Sequence, residues 1–192
     1  MSEVKKRDAE VITLGSGDLM IKEYNAEEGF PGYKDFDDKS ELLGRIQGGA
    51  TLEYKGEWYE AKDDTGKAVK TIITSEEATL KSGIITWNGK TLEKMCSTAR
   101  VTEKDGIRTV KIGGVGNNNG KSYALCFHHH DTQDGDVWVV VRGVNQAGFS
   151  LAFAKDKETV IDAEFKCLPM DDEGTLIEYN EEMTTTDEGT LI

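Results

Sequence analysis

Short runs in which apolar and polar residues alternate, separated by turn-forming residues, constrain this chain more than any other feature. A period of two sends successive side chains to opposite faces, so such runs read as half-buried strands. They occur at 11–15, 18–24, 49–54, 57–62, 69–74, 78–86, 107–112, 122–130, 136–144, 149–154 and 160–167. Between them lie Asp63-Asp64-Thr65-Gly66, Lys104-Asp105-Gly106, Gln133-Asp134-Gly135 and Asn145-Gln146-Ala147-Gly148, all residues that favour tight turns. The 21 glycines against 2 prolines suit this reading. One segment breaks the period: within 88–100, Leu92, Met95, Cys96 and Ala99 recur at helical spacing, with Asn88 or Thr91 as N-cap. The expected fold is mainly β (α+β): an antiparallel β-sandwich or barrel flanked by one α-helix.

Charge divides the chain. The formal charge is −13, but residues 168–192 hold 8 acids and no Lys or Arg, leaving −5 for residues 1–167. A β domain over 1–167, with a charged N-terminal arm at 1–9, is therefore expected to precede an acidic C-terminal arm at 168–192. That arm carries Asp172-Glu173-Gly174-Thr175-Leu176-Ile177 and repeats the same six residues at 187–192. So acidic a chain is a poor clamp for nucleic acid, since phosphate binding is driven by Lys and Arg. No apolar stretch follows the N-terminal charges, and the strongly apolar run 137–141 is far short of the ~20 residues of a spanning helix. A soluble chain without membrane insertion is expected. The three cysteines, Cys96, Cys126 and Cys167, form no CxxC and read as reduced thiols.

Candidate chemical sites are sparse. Gly114-Val115-Gly116-Asn117-Asn118-Asn119-Gly120-Lys121-Ser122 misses the phosphate-loop spacing by one residue, and a strand pattern follows where a helix is needed. It reads as a hairpin loop. In the run His128-His129-His130, period two places Cys126, His128 and His130 on one face, a possible set of metal ligands whose fourth member would have to be a carboxylate. A polar strand end is the simpler reading. No nucleophile elbow or HExxH occurs, and the histidines sit at one spot. These features argue for a binding or structural role rather than an enzyme, with no catalytic residue and no cofactor assigned.

Four segments, in this order, carry a resemblance. They are Ile46-Gln47-Gly48-Gly49-Ala50-Thr51-Leu52-Glu53-Tyr54-Lys55; Glu57-Trp58-Tyr59-Glu60-Ala61-Lys62-Asp63-Asp64-Thr65-Gly66-Lys67; Glu77-Ala78-Thr79-Leu80-Lys81-Ser82-Gly83-Ile84-Ile85-Thr86-Trp87-Asn88; and Gly148-Phe149-Ser150-Leu151-Ala152-Phe153-Ala154-Lys155-Asp156. Over roughly residues 8–178 the chain resembles the major tail (tail tube) proteins of tailed phages and prophages of Gram-positive bacteria. The resemblance implies a virion structural subunit, assembled in the bacterial cytoplasm. Six copies form a ring, and rings stack into a tube around a tape-measure protein, capped by tail-tip and tail-terminator proteins. DNA passes transiently through the channel.

Under that resemblance, contacts between subunits and rings would fall on the N-terminal arm (Lys5, Arg7), on the loop at 25–40 (Phe30, Tyr33), on the hairpin at 55–67 (Trp58, Tyr59, Asp63, Asp64), or on the C-terminal arm (Leu176, Ile177). Alternation nominates channel-lining groups. In the last strand Asp162, Glu164 and Lys166 oppose Ile161, Ala163, Phe165 and Cys167, while Glu77 and Lys81 oppose Ala78 and Leu80. Two rival readings are a small β-barrel metal-binding enzyme using Cys126, His128 and His130, and a stand-alone β-sandwich binding module.

Overall fold

The computed structural model describes Arg7, Glu10, and residues 13–36 and 41–183. Among these residues ten strands form in chain order: β1 (Asp18–Glu23), β2 (Leu42–Gly44), β3 (Ile46–Lys62), β4 (Ala68–Ile84), β5 (Arg100–Lys104), β6 (Ile107–Lys111), β7 (Tyr123–His129), β8 (Val137–Asn145), β9 (Ile161–Leu168) and β10 (Glu178–Glu181). One α-helix, α1 (Gly89–Met95), lies between β4 and β5. All pairings are antiparallel. The chain is mainly β and sandwich-like, without closing into a barrel.

The strands run β2-β1-β7-β8-β9-β4-β3, with β10 also on β8 and β5–β6 as a separate hairpin. Two corners turn this path over a core. At the first, a single residue, Arg45, separates β2 from β3, so the chain leaves its pairing with β1 and begins pairing with β4. Arg45 is pinned there: its N–H donates to Thr86 Oγ1 (2.7 Å), and its carbonyl accepts from Ile85 N (2.8 Å). At the second corner, one edge of β8 is divided. Val137–Val140 pair with β10, and Arg142–Asn145 pair with β9. Strands that switch partners in this way make the corners of packed sheets.

The core collects Leu19, Ile21, Leu80, Ile84, Leu125, Val141, Ile161 and Phe165 from both sides of these corners. A smaller cluster of Met20, Cys126 and Val140 lies on the other face of β1, β7 and β8, covered by Phe30, Tyr33, Phe36 and Trp138. Alternation reads β9 correctly: Ile161, Ala163, Phe165 and Cys167 are buried, and Asp162 and Glu164 are exposed. Helix α1 forms where expected but is shorter. Asn88 Oδ1 caps it by accepting from Lys90 N and Thr91 N, and the chain turns extended at Cys96. Buried Asn145 ties the helix end to the sheet, donating to the Met95 carbonyl (2.9 Å) while its Oδ1 accepts from Glu164 N.

Four expectations change. The runs at 49–54 and 57–62 are one strand, and those at 69–74 and 78–86 merge into another that ends at Ile84, because bulges between Gln47 and Ala50 and between Glu57 and Trp58 shift the period without ending the ladder. Gly48 and Gly49, at φ of 78° and 75°, supply the first bulge with a backbone conformation that a side chain disfavours. The run 149–154 is not a strand; Phe149 and Leu151 pack on the core, and the Ala152 carbonyl accepts from Thr159 Oγ1 (2.7 Å) rather than from a ladder partner. Residues 13–15 are likewise irregular, and 11–12 lie outside the described residues. The segment after Leu168 is not a detached arm as far as it is described: Leu176 and Ile177 pack on the core, and β10 joins the sheet. Its acidic composition marks an outer face, which a sheet strand also possesses.

Candidate assembly surface

Two features share strands β3 and β4. Nearest the core, their outward side and that of β9 form a charged face. The register aligns Thr51 with Lys81 and Lys81 with Glu164, Glu53 with Thr79 and Thr79 with Lys166, and Lys55 with Glu77. Glu77, Lys81, Asp162, Glu164 and Lys166 are thus brought onto one face, joined by Glu53 and Lys55, which sequence alone did not single out because the strand order was unknown. Lysines on this face are held by carboxylates: Lys81 lies 3.0 Å from Glu53 and 3.9 Å from Glu164, and Lys166 lies 3.0 Å from Glu77. The Lys81 ammonium holds Glu53 below the usual carboxylate range, and hydrogen bonding to Glu53 raises Lys81 in turn. Exposed pairs of this kind add little stability. Their effect is to offset the positive charge of Lys81 and Lys166.

Farther out, β3 and β4 continue past the core as a two-stranded hairpin. Residues 68–77 of β4 are all exposed, whereas 78–84 alternate between buried and half-buried. The apolar side of the sheet does not stop where the core does. Leu52 faces Leu80 and Tyr54 faces Ala78, and beyond them the pair Trp58–Ile73 continues outward, exposed among the described residues. Trp58 is 63% exposed, and Tyr54 and Ile73 are exposed with it, while the pair Tyr59 (59% exposed) and Ile72 faces the opposite side of the hairpin. The tip is well formed: Asp63 Oδ1 accepts from Thr65 N (2.9 Å), Thr65 Oγ1 (2.7 Å) and Lys67 N (3.0 Å). These bonds hold the Asp63 carboxyl below its ordinary range, the Thr65 hydroxyl first among them. The outer edge of β3 has no strand partner among the described residues.

The remaining contact candidates separate from this surface. Phe30 and Tyr33 pack on the smaller apolar cluster, with Tyr33 4.9 Å from Trp138. Leu176 and Ile177 rest on the main core. Arg7 is bound within the chain: only 8% exposed, it donates from Nε to the Gly135 carbonyl (3.0 Å) and from Nη1 to Thr13 Oγ1 (2.8 Å), with Asp131 at 3.6 Å. Its backbone N–H donates to the Glu182 carbonyl (3.1 Å), so early and late parts of the chain meet on the β7–β8 loop. Lys5 lies outside the described residues, as does the second copy of the six-residue repeat.

The histidines sit where β7 runs into this same loop: His128 and His129 end the strand and His130 begins the loop. His128 and His130 share a side, their ring centroids 3.7 Å apart. Cys126 does not join them; it is buried against Met20 and Val140. The third group is Asp136, whose Oδ2 lies 2.8 Å from His128 Nε2 and 3.2 Å from His130 Nδ1. Burial pushes the Asp136 carboxyl up, but the Asp131 amide and the two rings outweigh this and hold it below the usual range. His129 points away and bonds the Ser16 carbonyl (2.8 Å). Compared with models of known protein families and with curated protein sequences, the chain matches none.

Proposed function

We propose that this chain is the repeating, non-enzymatic subunit of a phage-type tail tube, assembling through hexameric rings that stack around a channel for DNA. The observation that carries this reading is the β3–β4 hairpin, whose apolar row runs beyond the core that would normally cover it. A lone two-stranded hairpin is marginal in water, and an exposed apolar row on it calls for a partner surface. The edge of β3 beside it, without a strand partner among the described residues, offers a ladder of backbone groups, which a neighbouring copy can close. One repeated contact generates rings where the rotation closes and filaments where it does not.

The charged face of β3, β4 and β9 suits a channel wall. Glu53, Glu77, Asp162 and Glu164 repel phosphate, and neighbouring carboxylates hold Lys81 and Lys166. Such a wall lets a duplex slide. The resemblance in the four sequence segments supplies the tape-measure, tail-tip and terminator partners and the virion tail as location. Negative-stain microscopy of the concentrated protein tests the reading directly. Rings or hollow tubes are the expected result. A monomer that persists across salt conditions and added nucleating surfaces would overturn it.

A further inference from the structure

We propose that His128, His130 and Asp136 form a binding site for one divalent first-row transition ion, with Zn2+ the best match to two imidazoles and a carboxylate. Their ligand atoms all lie within 4.8 Å of one another. Ligands about 2.0–2.2 Å from a common zinc sit roughly 3–3.6 Å apart, so small side-chain rotations complete the arrangement. Among the described residues, this is the one cluster of three or more such groups with that spacing.

The surroundings hold the ligands in place. Asp136 Oδ1 accepts from the Asp131 backbone N–H (2.9 Å), which leaves Oδ2 directed at the two rings. Asp131 is itself fixed, its Oδ1 accepting from Gln133 N and Asp134 N, and this closes the β7–β8 loop into a rigid turn. Trp138 stacks on His128 with centroids 4.7 Å apart, setting that ring's orientation. His130 would coordinate through Nδ1, and its Nε2 lies 3.8 Å from Asp18 Oδ2. A carboxylate behind the far nitrogen of a ligating histidine fixes its tautomer and strengthens the ligand. His130 is half exposed, which gives an ion a route in, while His128 is buried. Carboxylate and imidazole together favour borderline ions over calcium or magnesium, which take oxygen donors.

Bound there, an ion would stiffen the loop to which other parts of the chain attach. Asp136 O accepts from Glu182 N (2.9 Å), and Arg7 holds Gly135 O. The site would therefore act as a clasp on the end of β10. The inference does not depend on the tube reading, because it concerns the single subunit. The test titrates the metal-free full chain with Zn2+ near neutral pH against a chelator of known affinity, and with Co2+ followed by its visible absorption. One ion per chain and a raised Tm are expected, together with slower amide exchange at Glu181 and Glu182. His130→Ala removes a half-exposed ring, so the fold is retained, as circular dichroism can verify. It should weaken binding at least about tenfold and abolish the Tm rise, and Asp136→Asn should act alike. Asp18→Asn should weaken binding less while keeping one ion per chain. Either no saturable Zn2+ binding by the wild-type chain, or unchanged binding by folded His130→Ala, would overturn the proposal.

Discussion

The two halves of strand β4 share one backbone and one neighbour in β3, yet live in different surroundings. From Ala78 to Ile84, alternate side chains are buried against β9 and the core; from Ala68 to Glu77, every residue is exposed. Hydrogen bonding continues through both. Backbone pairing therefore does not decide where this domain ends; the layer beneath the sheet does. The inner half is held by burial worth about 25 cal/mol per Å² of apolar surface. The outer half keeps a similar apolar content but leaves it exposed, and in the proposed assembly a second copy would cover it.

The largest effects should come from breaking each half separately. Trp58→Ser with Ile73→Ser should abolish assembly while leaving the monomer's denaturant midpoint nearly unmoved, because exposed substitutions usually fall within about 0.5 kcal/mol. Phe165→Ala, at a fully buried position, should cost about 3–5 kcal/mol in denaturant melts. If the hairpin variant loses as much stability as the core variant, the two halves form one cooperative unit and the contrast fails. A smaller loss is expected from Gly44→Ala at the Arg45 corner. A Cβ there would run into the Thr86 carbonyl and the Ile84 side chain, costing about 1–3 kcal/mol. An unchanged midpoint would mean the corner is softer than its contacts imply.

Thiol labelling compares the two regions kinetically. Cys126 and Cys167 are buried and Cys96 is only half buried; burial pushes the Cys167 thiol up to about 11. Native protein near neutral pH should label at Cys96 first, with the other two at least about tenfold slower. Equal rates would show that the body opens readily. The mildest effect concerns the hairpin tip. Asp63 titrates below its ordinary range when folded, so its bonds contribute fully above the unfolded carboxyl value near ~3.9 and are lost as pH falls through the lower folded value. The amide shifts of Thr65 and Lys67 should follow that low midpoint. A midpoint at the ordinary value would mean the tip is loose in solution.

Strand β9 was legible because Ile161, Ala163, Phe165 and Cys167 alternate without interruption against Asp162, Glu164 and Lys166. Strands β3 and β4 were harder: Gly56 and the bulge beside Trp58 break the period, so each long strand reads as two short ones. The stretch from Phe149 to Ala154 misled in the opposite sense, since its apolar residues anchor a loop and period two alone does not supply a backbone partner. At the histidines, alternation correctly placed His128 and His130 together. It also placed Cys126 with them, but two residues along a strand is nearly 7 Å, and that distance sends the thiol to a different cluster. Asp136 arrives from across a turn, and its partnership depends on how that turn closes. The charged face needed a register as well: Glu53 meets Lys81 only once β3 lies beside β4.

The meeting of Arg7 with Glu182 also gives the domain a nearly circular path. With the Arg7 N–H bonded to the Glu182 carbonyl, a short linker between these two points would join the chain into a loop. New ends could then open in the exposed turn at Asn118, far from the β3–β4 hairpin in the sheet order. Such a circular permutant would carry fused cargo away from that hairpin while preserving the strand pairings described.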